Sequence, residues 1–71
     1  MTPRNQELLD ILQEEASEVI QAISKKNVDN IHIEIGDFCG IMKILMAEGY
    51  LNPDFIQDAA ETKINKVRNK K

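Results

Sequence analysis

The sequence predicts an all-α fold of three helices, and three observations carry that prediction. Apolar residues recur at spacings of three and four along long stretches of the chain. Two cap-then-proline signals, Thr2-Pro3 and Asn52-Pro53, open the first and last of these stretches. No segment alternates apolar and polar residues between hairpin turns, as a strand would. At 71 residues without repeats or linkers, residues 1–71 form a single helical domain. A domain this short buries a limited core, and Cys39, the one cysteine, excludes an internal disulfide. The expected architecture is therefore a three-helix chain with a central apolar helix, assembling into a helical-bundle homo-oligomer.

The first helix starts at Thr2-Pro3 and runs to about Lys26, with one broad apolar arc through Leu8, Leu12, Val19, Ala22 and Ile23. Glu15 falls inside this arc and Glu18 on its edge, whereas Glu7, Asp10 and Glu14 lie on the polar side. Asn27-Val28-Asp29-Asn30 is a polar turn in which Asp29 or Asn30 is placed to cap the second helix. That helix runs from about Ile31 to Glu48 and stops at Gly49, a residue suited to a left-handed C-terminal position. Its apolar residues wrap most of the circumference, so it is expected to pack from two sides. Glu34 and Asp37 project among Ile41, Ile44 and Leu45, and Gly36 and Gly40 face the other way, leaving room for another backbone. The third helix runs from Asp54 towards the C-terminus. Its arc comprises Phe55, Ile56, Ala59, Ala60, Ile64 and Val67, with Lys63 in the middle.

Composition narrows the function classes. Charged residues are 30 % and hydrophobic residues 42 %, a globular balance rather than a disordered one. No run of roughly 18 apolar residues is present, so no membrane span is expected. The first residues lack the apolar stretch of a secretory signal, and the lone cysteine suits a reducing, cytoplasmic setting. Residues 1–61 sum to −8, whereas residues 62–71, with Lys63, Lys66, Arg68, Lys70 and Lys71, sum to +5. An acidic body with a basic end is not the footprint of a duplex-DNA binder, and the apolar second helix offers little to base edges.

The carboxylates are the chemical signal. Glu15 and Glu18 stand three apart on one helix, and Glu34 and Asp37 repeat that spacing on the next. An uncompensated carboxylate in a core is costly, and several together repel one another, so a cation is expected among them. Four converging carboxylates with no histidine make a hard, all-oxygen site suited to Mg²⁺, with Mn²⁺ as the alternative, and to phosphate chemistry. Cys39 lies at the margin of its arc as a packing residue, and His32 lies on the polar side of the second helix.

Glu14-Glu15-Ala16-Ser17-Glu18, followed after fifteen residues by Glu34-Ile35-Gly36-Asp37, resembles the EExxE…ExxD signature of the MazG-like all-α nucleoside triphosphate pyrophosphohydrolases. The resemblance covers about residues 7 to 68, including a basic last helix. It implies cleavage of a nucleoside triphosphate between the α and β phosphates, giving a monophosphate and pyrophosphate. By the same resemblance Glu15, Glu18, Glu34 and Asp37 hold Mg²⁺, Glu14 supports a further metal or the attacking water, and Glu14 and Glu15 are the catalytic pair. Lys63, Lys66 and Arg68 are implied to contact phosphates, and a homodimer or homotetramer is the implied assembly.

The chain departs from the family pattern in two places. Only about a dozen residues precede Glu14, where relatives usually have more chain that helps to hold base and sugar. The last-helix pattern Asn-x-Lys-Phe-x-x-Arg has Glu61 at its asparagine position and Val67 at its arginine position. The competing reading from the residues is a non-catalytic helical module that binds nucleotide or protein.

Overall fold

The computed structural model describes residues 2–70 and contains three helices, α1 (Pro3–Lys25), α2 (Val28–Ala47) and α3 (Pro53–Arg68), with no strand among those residues. The cap chemistry explains each boundary. The Thr2 hydroxyl accepts a hydrogen bond from the Asn5 amide at 3.1 Å, and Pro3 takes the first helical position, where its missing N–H is no loss. Asn52 does the same for α3, its side chain accepting from the Asp54 amide at 2.9 Å.

The α1–α2 turn is tighter than the sequence suggests. Lys26 adopts a left-handed conformation (φ 57°), which reverses the chain at once. Asn27 therefore reaches the capping position and accepts from the Asn30 amide at 3.1 Å, so α2 begins at Val28 rather than near Ile31. Asp29, expected as a candidate cap, instead lies in the first turn, where its charge complements the helix dipole. At the other end of α2, Gly49 (φ 81°) closes a Schellman motif. The Tyr50 amide donates to the Leu45 carbonyl and the Gly49 amide to that of Met46, each at 3.0 Å.

The core lies between α1 and α2. Leu8, Ala22 and Leu45 are 3 %, 2 % and 0 % exposed. Leu8 and Ala22 are fourteen residues apart, four helical turns, and so share one face of α1. At its open end the hairpin is clipped by a bidentate pair. Arg4 donates from Nε and Nη2 to the two carboxylate oxygens of Glu48 at 3.2 and 3.1 Å. Glu48 thus finds its cation at the hairpin end.

The expectation of a second helix packed from two sides is met on one side only. α2 packs against α1, but α3 makes no comparable contact with either helix. Ile33, Ile35 and Ile44 of α2 consequently remain exposed. α3 buries none of its residues, and its apolar positions Phe55, Ile64 and Val67 are 73 %, 45 % and 59 % exposed. Nothing lies within 4 Å of where a Cβ at Gly36 or Gly40 would sit, so no backbone of the same chain uses the room they leave. The radius of gyration is 14.1 Å, against about 11 Å expected for a compact chain of this length. Among the described residues no helix is long and apolar enough to cross a membrane.

Candidate metal centre

Glu15 occupies the seat midway between Leu8 and Ala22 on α1, seven residues from each, so a straight helix turns it towards α2. It is half-buried there. Glu18, one turn further on, is exposed, and Glu34 of α2 is half-buried opposite. The three offer one carboxylate oxygen each, and those oxygens all lie within 4.8 Å of one another. The tight turn at Lys26-Asn27 places the middle of α2 beside the middle of α1 and so brings these residues together.

The electrostatics of this cluster are uncompensated. The Glu15 carboxyl is held above the usual carboxylate range, first by burial and then by the charge of Glu18, hydrogen bonding with Glu18, and the charges of Asp37 and Glu14. The Glu34 carboxyl is raised too, first by hydrogen bonding with Glu18, then by burial and by the charges of Glu18, Asp37 and Glu15. Burial and the neighbouring carboxylates both disfavour the ionised forms of Glu15 and Glu34, a cost that a cation among them would relieve. The side chains that raise these two groups, Glu14, Glu15, Glu18 and Asp37, are all carboxylates. In addition, Glu15 Oε2 is buried without a hydrogen-bond partner.

These observations test the fit of a divalent cation. The donor set is oxygen only, three carboxylates converge, and a buried acceptor lacks a donor. Hard cations such as Mg²⁺ and Mn²⁺ suit such a set, and zinc-type nitrogen or sulfur donors are absent from it. The residues fit the ion.

Of the four residues expected to bind metal, the structure brings Glu15, Glu18 and Glu34 into one cluster. Asp37 is exposed and lies outside that set of three, although its charge reaches both Glu15 and Glu34. Glu14 is exposed and reaches the cluster through its charge on Glu15. Lys63, Lys66 and Arg68 are exposed on α3, away from the hairpin core.

The residues expected to be bystanders behave as such. His32 is exposed, its Nδ1 lying 3.0 Å from the Val28 carbonyl, and Cys39 is half-buried. Asp10 accepts from Gln6 at 2.9 Å on the exposed face of α1.

Sequence reasoning missed one feature beside the cluster. An open apolar groove of about 230 Å³ is lined by Ala16, Val19 and Ile20 of α1 and Ile35 and Phe38 of α2. Glu15 and Glu34 directly precede Ala16 and Ile35 in the chain but do not line the groove. Its signal in the sequence was an apolar arc wider than a two-helix contact can cover.

Comparison with curated proteins and with solved structures returned no match. The family model described as the MazG nucleotide pyrophosphohydrolase domain matches residues 4–71, which takes in all three helices and the whole carboxylate cluster. On that match, over nearly its full length, the chain belongs to the MazG nucleotide pyrophosphohydrolase domain family.

Proposed function

We propose that this chain is a Mg²⁺-dependent nucleoside triphosphate pyrophosphohydrolase, active as a homo-oligomer in the cytoplasm. Its reaction is cleavage between the α and β phosphates to give a nucleoside monophosphate and pyrophosphate. The observation that carries the reading is the convergence of one carboxylate oxygen each from Glu15, Glu18 and Glu34, with Glu15 Oε2 buried and without a hydrogen-bond partner. Family membership supports it.

In this reading Glu15, Glu18 and Glu34 hold the ion, with Asp37 as the fourth carboxylate. The ion, when bound, supplies positive charge that neutralises phosphate oxygens and favours ionisation of water. The remaining work falls to this chain's side chains. Glu14 stays outside the cluster and is free to take the proton of the attacking water. Lys63, Lys66 and Arg68 offer cations to the phosphates from α3. The hairpin's apolar packing, closed by the Arg4–Glu48 pair, fixes the spacing of the carboxylates.

The test is pyrophosphate release from a panel of ribo- and deoxyribonucleoside triphosphates, with and without Mg²⁺. Metal-dependent release of pyrophosphate and monophosphate is expected, and its loss in Glu34→Gln and Asp37→Asn with helical content unchanged. A folded protein that binds Mg²⁺ and nucleotide but releases no pyrophosphate across the panel would instead identify a binding module. Full turnover in both variants would reject these carboxylates as the site.

A further inference from the structure

We infer that Arg4 and Glu48 are positioning residues for the carboxylate cluster: their bidentate pair sets the register of α1 against α2 and so holds Glu18 level with Glu34. That role deepens the metal-site reading and rests on it for its effect on an ion, whereas the geometry belongs to the hairpin alone. Three observations support it.

The first is register. Arg4 lies fourteen residues before Glu18 on α1, and Glu48, the residue that ends α2, lies fourteen residues after Glu34. In an antiparallel pair of helices the two contacts therefore share one register, about 21 Å apart along the axis. Sliding one helix by a single residue, about 1.5 Å, disturbs both together. Two parallel hydrogen bonds, from Nε and Nη2 at 3.2 and 3.1 Å, tolerate little sliding. Among the described residues they are the only side-chain hydrogen bonds that join one helix to another, since Gln6–Asp10 and Gln57–Glu61 stay within α1 and α3. The apolar contacts of Leu8, Ala22 and Leu45 are not directional in this way.

The second is that the pair stands against both helix dipoles. Arg4 lies in the first turn of α1, which carries no acid, and Glu48 caps α2, whose last turn carries no base. A helix favours the opposite arrangement, acids at its start and bases at its end. With side chains 59 % and 34 % exposed, the pair also adds little to the stability of the whole. What remains for it is the alignment it imposes between the helices.

The third is the load it opposes. In the middle of the hairpin Glu15 and Glu18 of α1 face Glu34 of α2, and like charges push the helices apart. Arg4–Glu48 is the one ion pair among the described residues, and it pulls the same two helices together.

The experiment measures alignment first and ion binding second, in the full-length chain with Cys39→Ser as background. Spin labels at Gln13→Cys and Lys43→Cys, both exposed positions, report the α1–α2 distance in EDTA, with labelled chains diluted in unlabelled protein. One narrow distance distribution is expected with the pair intact, and a shifted or broader one in Arg4→Ala. Glu48→Gln is the second variant should Arg4→Ala lose helical content. Exchanging the pair, Arg4→Glu with Glu48→Arg, should restore the narrow distribution and give each charge the helix end it favours. Mn²⁺ affinity, read from the spectrum of the free ion, should weaken about two- to fivefold in Arg4→Ala, the range a partly exposed ion pair can transmit, and recover in the exchanged pair. Asn52→Ala, which removes the cap of α3, should move neither readout, which separates alignment from a general loss of helix stability. An unchanged distance in Arg4→Ala would overturn the inference, as would no recovery in the exchanged pair, or a changed distance with unchanged Mn²⁺ affinity. If the wild type binds no Mn²⁺, the metal-site reading falls while the distances still decide this one.

Discussion

Leu45→Ala is the most direct test of how the hairpin is held. Among the described residues Leu45 is the one large side chain with no exposure at all, and its own carbonyl also closes the Gly49 turn. Removing its terminal carbons loses their transfer free energy and leaves a cavity that two packed helices can only partly fill. Substitutions of this kind in closed cores cost about 3 kcal/mol. Against this stands a total stability of roughly 4–11 kcal/mol, at 0.05–0.15 kcal/mol per residue. The variant should therefore lose between a quarter and most of its stability. Thermal unfolding followed by circular dichroism should show a Tm lowered by about 12–24 °C, taking 4–8 °C per kcal/mol for a domain of this size. Protein concentration must be held fixed, because assembly adds its own stabilisation. A loss below about 1 kcal/mol would mean that the α1–α2 contact at Leu45 is not the core, and the account of how the carboxylates are positioned would fall with it.

Three further outcomes follow from the same geometry. Chelating Mg²⁺ previously held at 100 times its dissociation constant should cost about 2.7 kcal/mol, read as a fall in Tm on adding EDTA; Glu15→Gln should show no such fall and should be more stable than wild type in EDTA. The second concerns pH. Since the Glu15 and Glu34 carboxyls lie above their ordinary value of 4.5, the metal-free native state binds more protons than the unfolded chain between 4.5 and the raised values. The contribution of these two groups to metal-free stability should rise as pH falls through that window, and urea midpoints at pH 7 and 5 in EDTA should show a smaller gain in Glu15→Gln than in wild type. An identical pH response in the two proteins would contradict the placement of Glu15. Finally, Gly49→Ala should destabilise by about 1 kcal/mol through backbone strain alone, since a Cβ there meets nothing within 4 Å, and Gly40→Ala should not destabilise.

Much of the fold was legible because its signals are local. Thr2-Pro3, Asn52-Pro53 and Gly49 mark helix ends through backbone chemistry confined to a few residues, and all three act as expected. The start of α2 was misplaced because the deciding residue, Lys26, adopts a left-handed conformation that a lysine does not advertise. The Arg4–Glu48 pair spans 44 residues, and no local pattern links its members. In the site, Glu15 was legible because it interrupts an apolar arc on its own helix. Asp37, which shares the spacing of Glu34 in the sequence, is exposed and outside the three-oxygen set, although its charge reaches Glu15 and Glu34.

The sequence by itself determined three helices, a set of acids in apolar positions and the family they mark, because periodicity, caps and charge are written within a turn or two of chain. Only the tertiary structure decided which acids meet, since convergence of Glu15, Glu18 and Glu34 depends on the register of two helices set by a two-residue turn. It also decided that α3 packs far less on the hairpin than the hairpin's two helices do on each other. An amphipathic helix specifies that its apolar face must be covered, but not by which surface, because hydrophobic burial has no direction of its own.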